Sequence, residues 1–116
     1  MKVFYLLIAS CICYCEPAWS VKQEISFMRP DGSVAAGYFD KPADTKAEPV
    51  VIFIQGSSDA SVAANHDVIA SYLVPRKIGL ISLEKRGVTQ VAVDREEYRE
   101  HNCFEERLHD YILLVH

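Results

Sequence analysis

Gln55-Gly56-Ser57-Ser58 holds the residue types best suited to grip or attack a ligand. After Gln55, one glycine and two small hydroxyl residues follow the apolar run Val50 to Ile54, where a strand would turn towards a helix. In open α/β sheets, ligands sit at the carboxyl ends of such strands, facing backbone N–H groups and helix N-termini. Gly56-Ser57-Ser58-Asp59-Ala60 also fits a relaxed small-x-Ser-x-small elbow with Ser58 as nucleophile. The plainer alternative is that Ser58 and Asp59 help to cap the next helix. A phosphate cradle is not indicated, because the turn has one glycine and no lysine.

Other reactive residues point to less. The four histidines, His66, His101, His109 and His116, include no His-x-x-x-His pair, and Cys103 has no cysteine near it. No metal and no cofactor are therefore expected. Asp94, Glu96, Glu97, Glu100, Glu105 and Glu106 read as a solvated acidic helix face rather than as paired catalytic carboxylates. Arg86, in Glu84-Lys85-Arg86-Gly87, suits a structural salt bridge better than a substrate carboxylate.

The elements that must position these residues are legible in order. Gln23 to Met28 alternates polar and apolar residues, Pro30-Asp31-Gly32 supplies a turn, and Val34 to Phe39 returns as a second strand. Lys41 to Glu48 is an exposed connection to Val50–Ile54, whose unbroken apolar run predicts a strand buried on both faces. Ser61 is placed to cap a helix with Val62, Ile69 and Leu73 on one stripe and Tyr72 beside them. Ile78 to Leu83 follows as the next buried strand, left without its outer neighbour. Asp94 and Glu97 have capping-box spacing and open one helix running to His116, with Phe104, Leu108, Tyr111, Ile112 and Val115 on a face. The fold class is thus α/β: an N-terminal antiparallel hairpin feeding a parallel βαβ sheet.

Lys2 precedes an apolar run from Val3 to Tyr14, and Ala18-Trp19-Ser20 supplies small residues three apart. Residues 1–20 are therefore expected to be a secretory signal peptide, and the product to be periplasmic or extracellular. Three of the four cysteines would leave with it, so residues 21–116 could form no internal disulfide. Ile8-Ala9-Ser10-Cys11 offers the alternative of a lipoprotein attached to a membrane through acylated Cys11. The formal charge of −4, unchanged by removal of Lys2 and Glu16, comes without a basic stripe and gives no basis for nucleic-acid binding.

A hairpin, an apolar strand ending in Gln55-Gly56-Ser57-Ser58, a crossover helix and a strand ending in Glu84-Lys85-Arg86-Gly87 follow one another in fixed order. That order resembles the first half of an α/β-hydrolase of the secreted serine peptidase- or esterase-like branch. There the strand-three turn usually reads His-Gly or Gln-Gly, and strand four ends in Asp-x-Arg-Gly. Tyr98-Arg99-Glu100-His101-Asn102, then an amphipathic helix, resembles the region before the nucleophile. The resemblance covers residues 22–116. It implies acyl-group hydrolysis by a serine, a histidine and a carboxylate, with the oxyanion held by two backbone N–H groups. It implies further that Ser57 N–H, or else Ser58 N–H, is one of those donors, with Gln55, Gly56, Arg86 and Gly87 shaping the turns.

No Gly-x-Ser-x-Gly occurs in these 116 residues. The expectation is an inactive N-terminal portion of an exported hydrolase, meeting an ester or peptide substrate only when joined by a C-terminal half. The alternative is a small secreted, non-enzymatic binding module. Its case rests on the missing triad and on the apolar face that a half-built sheet would expose.

Overall fold

The computed structural model describes residues 20–43 and 49–116. The expected leader, Cys11 and most of the Lys41–Glu48 connection lie outside them. Among the described residues, one four-stranded sheet packs with three α-helices. Strand β1 (Ser20–Met28) pairs antiparallel with β2 (Val34–Pro42) over its whole length, from Ser20 opposite Pro42 to Met28 opposite Val34. The turn between them is the expected one: Gly32 N–H donates to Arg29 O at 3.0 Å, and Gly32 takes a positive φ of 86°.

Strand β3 (Val50–Phe53) leads through the 55–62 segment to helix α1 (Ala63–Leu73), a 3-10 turn (Val74–Arg76) and strand β4 (Gly79–Leu83). The strand order is β1-β2-β4-β3, with β4 antiparallel to β2 and parallel to β3. This order corrects two expectations at once. Among the described strands β4 is interior, whereas β3, like β1, lies at an edge. Val50, Val51 and Ile52 are 46%, 41% and 44% exposed, so the run is not buried on both faces. An unbroken apolar run reports that a strand has a use for two dry faces, but it does not say which neighbours are present to dry them.

The core lies between β4 and α1, where Leu80, Ala70 and Val74 are buried and Phe53, Ile69 and Leu73 pack against them. Val62 is buried as expected. Tyr72 instead faces outward, with the Arg76 guanidinium 3.7 Å from its ring centre.

The C-terminal region is two helices, not one. Helix α2 (Arg95–His101) ends where Asn102 leaves helical geometry, and α3 (Phe104–Val115) starts after extended Cys103. No glycine or proline marks the break. The Asn102 side chain is drawn to Tyr98 Oη at 2.9 Å and to Ser57 O at 3.4 Å, so tertiary contacts accompany it. Asp94 caps α2 by accepting from Glu96 and Glu97 N–H, each at 3.2 Å. The Glu97 side chain turns instead to Arg86 Nε at 2.9 Å, leaving the box half-formed. On α3, Tyr111 is buried, whereas Phe104, Leu108, Ile112 and Val115 stay exposed. A buried bidentate ion pair ties α3 to the hairpin turn: Arg29 Nε and Nη2 donate to the two Asp110 carboxylate oxygens, each at 2.7 Å.

Candidate functional site

Gln55-Gly56-Ser57-Ser58 leaves the carboxyl end of β3 and lies across the carboxyl end of β4, where α2 and α3 also arrive. Side chains from these elements take its carbonyls one after another. Arg107 Nη1, from α3, donates to Gln55 O at 2.6 Å and to Gly56 O at 3.2 Å. Lys85 Nζ donates to Gly56 O at 3.0 Å and also closely to Ser58 O. The Tyr98 hydroxyl and the Asn102 amide both donate to Ser57 O.

Peptide chemistry converts this into a direction. No cis peptide occurs among the described residues, and in a trans unit the C=O and the following N–H point oppositely. With the carbonyls of residues 55 to 58 turned towards Lys85, Arg107, Tyr98 and Asn102, the N–H groups of Gly56, Ser57, Ser58 and Asp59 face away from them. Gly56, Ser57 and Ser58 are exposed, and Asp59 is half-buried. The carbonyl side of the turn is thus held by two cationic and two neutral donors, and each amide points away from the group that holds its peptide unit, an arrangement that favours negative charge on the amide side.

The backing side chains differ in burial, with Tyr98, Asn102 and Arg107 half-buried. Lys85 is buried, and that burial, with Arg107 nearby, pushes its ammonium below the usual lysine range. Its Nζ also lies 5.9 Å from the Tyr98 ring centre. Ser58 Oγ is 3.5 Å from the Gln55 amide nitrogen, a long contact.

Glu84 has a structural task of its own. Its carboxylate accepts Val62 N–H at 3.0 Å, the Ser61 hydroxyl at close range and the Tyr38 hydroxyl at 3.3 Å. It thereby secures the start of α1. Ser61, expected as the N-cap, accepts Ala63 N–H at 3.1 Å, although the boundary residue is Val62. Arg86 makes the expected structural pairs, with Asp31 at 2.7 Å and Glu97 at 2.9 Å. Gly87 adopts a φ of 77°, the left-handed turn its position needs.

Two further groupings were not visible as pairs in the sequence. Asp40, His66 and Ser82 form a buried chain: His66 Nε2 lies 3.0 Å from Asp40 Oδ2, and Nδ1 lies 2.5 Å from Ser82 Oγ. A carboxylate only accepts, so Nε2 carries the proton and Nδ1 accepts the serine hydroxyl. Burial pushes the His66 imidazole below its ordinary value despite the Asp40 carboxylate. With His66 0% exposed, the trio ties β2, α1 and β4 together rather than meeting a ligand. Near the α2–α3 break, Glu97, Glu100 and His101 offer ligand atoms within 4.8 Å of one another. Glu97 is engaged by Arg86 there, and His101 Nδ1 lies 2.7 Å from Glu106.

Among the turn-holding residues, Lys85 stands out in the sequence only within Glu84-Lys85-Arg86-Gly87, and Tyr98 and Asn102 only within the Tyr98-to-Asn102 segment. The available signal is a lysine two residues beyond the buried strand Gly79–Leu83, since a lysine there needs an internal partner. Arg107 had no comparable signal.

No family model matches the chain, and no curated protein matches it in sequence. A solved structure does match in shape: a cold-adapted esterase from an Arctic intertidal metagenomic library, determined as a PEG-bound complex. The TM-score is 0.67 at 16% sequence identity, covering 86% of this chain and 45% of the esterase. At that identity the likeness is one of fold. This chain spans less than half the length of the esterase it matches.

Proposed function

We propose that this chain is the N-terminal part of an exported α/β-hydrolase acting on ester, or peptide and amide, bonds. The carrying observation is the turn after β3, whose four carbonyls are held by Lys85, Arg107, Tyr98 and Asn102, so that each amide points away from those groups. In the proposed reaction a serine attacks the substrate carbonyl, and negative charge grows on the carbonyl oxygen. Ser57 N–H, or else Ser58 N–H, stabilises that oxyanion together with an amide beside the nucleophile. The nucleophile, acid and histidine belong to polypeptide beyond these 116 residues, so the chain alone turns over no substrate. The fold shared with an esterase supports this reading. A leader over residues 1–20, or acylation at Cys11, would deliver the protein outside the cytoplasm.

A second reading is a secreted, non-enzymatic binding module, favoured by the exposed apolar residues of α3. Sequencing the DNA beyond the His116 codon and expressing the longest frame separates the two. A Gly-x-Ser-x-Gly run, with fluorophosphonate labelling and p-nitrophenyl ester hydrolysis absent from residues 1–116 alone, is expected. An immediate stop with unrelated sequence beyond it, and a cooperatively folding unreactive chain, would support the binding module. Labelling of the 116-residue chain that Ser58→Ala abolishes would show that it carries its own nucleophile.

A further inference from the structure

A turn that only reverses the chain commonly satisfies a carbonyl with its own amide three residues on. Here Gln55 O, Gly56 O, Ser57 O and Ser58 O are served by side chains from three separate places, and two of those side chains are cations. Lys85 and Arg107 together reach three of the four carbonyls, and both reach Gly56 O. Bringing a lysine ammonium into a buried position has a desolvation cost that reversing a chain does not require.

We propose that Lys85 and Arg107 are positioning residues. By drawing the carbonyls of Gln55, Gly56 and Ser58 inward, they fix the Gly56–Asp59 amides as an outward-facing, pre-oriented set of anion donors. Neither side chain touches the substrate. Both act through the backbone, with Tyr98 and Asn102 completing the hold at Ser57. The catalytic meaning rests on the hydrolase reading above, but the orientation of the amides does not.

The test uses the full 116-residue chain, nitrogen-15 labelled, with sodium acetate as carboxylate probe. The variants are Lys85→Met, Lys85→Arg and Arg107→Met. In the parent, the Ser57 and Ser58 amides are expected to be ordered, with order parameters near ~0.85, and to shift saturably with acetate. Lys85→Met should lower those order parameters below ~0.6 and weaken the acetate response about tenfold, while the Leu83 amide keeps its resonance position. Lys85→Arg should restore both readouts, which a loss of packing alone would not predict.

If Lys85→Met leaves the turn amides as ordered and as responsive as in the parent, the proposal is overturned. Parent amides that ignore acetate but lose order in Lys85→Met would uphold the positioning role and sink the oxyanion reading. Should Lys85→Met fail to fold, Arg107→Met decides: lost order at Gly56 and Ser57 supports the proposal, and unchanged order overturns it.

Discussion

The hydroxyl of Tyr111 donates to Phe53 O at 2.8 Å, and at the same time it accepts the N–H of Leu83 at 2.8 Å. One phenol from α3 thus bridges the parallel strands β3 and β4 just beyond their last paired residues, Phe53 and Ser82. It also holds the start of the Gln55–Ser58 turn at a fixed distance from β4.

Tyr111→Phe leaves a buried amide and a carbonyl without that partner, which should cost about 1–3 kcal/mol. Urea unfolding followed by circular dichroism measures it; a midpoint unchanged from the parent would show that water replaces the hydroxyl. Burial pushes the Tyr111 phenol up to about 12 from an ordinary value of 10.0. Because the folded value is the higher one, its stabilising contribution is complete below pH 10 and is lost as pH rises towards 12. Tyrosinate absorbance near 295 nm should therefore show one late-titrating phenol that Tyr111→Phe removes.

The Asp40–His66–Ser82 chain predicts sensitivity at the opposite end of the scale. Burial lowers the His66 value below 6.5, so protonation favours the unfolded chain. The stability it protects is fully present above pH 6.5 and declines as pH falls below that value. Denaturant midpoints measured from pH 8 to pH 5 should fall in the parent and flatten in this range in His66→Gln. His66→Ala should cost about 3 kcal/mol or more, because it strands a buried carboxylate.

Strand β3 predicts self-association of the isolated chain. Its edge position among the described strands and the exposed Val50, Val51 and Ile52 form a template for another strand. Ile52→Lys should shift the chain towards monomer in light scattering coupled to size exclusion, with little change in helix content. Equal self-association in parent and variant would place the sticky surface on α3 instead.

Gly87→Ala should cost about 2 kcal/mol or more. The residue needs a positive φ, and an added Cβ would approach Asp94 O to 2.6 Å and Tyr98 N to 2.8 Å. Neither obstacle is a side chain that could swing aside. The same change should loosen α2, visible as faster amide exchange from Glu97 to His101. Exchange as slow as the parent's would count against that coupling.

The hairpin, the βαβ order and the turn after β3 could all be read from alternation, Pro-Asp-Gly and the apolar runs, because local chemistry specifies them. The position of β3 at the edge could not, since Val50–Phe53 reads the same whether one neighbour or two are present. The α2–α3 break was equally hidden, because Asn102 is recruited by Ser57 and Tyr98 rather than by its sequence neighbours. The same holds for the site. Gln55–Ser58 was visible as a turn, but the direction of its amides depends on Lys85 and Arg107, which lie far along the chain. Asp40, His66 and Ser82 carry nothing in the sequence that links them to one another. Only the pairing of β2 with β4, and α1 laid across them, makes them one unit.

The Arg29–Asp110 bridge has a consequence for how the chain comes apart. Fraying of α3 as far as Asp110 would take away the carboxylate partner of the Arg29 guanidinium and leave it only Ser33 and Val34 of its own hairpin, so helix and hairpin gain by melting together. Two regions 81 positions apart are thereby placed under a common switch. The last helix then behaves as the latch that closes one cooperative unit, and its release is announced at the opposite end of the sequence.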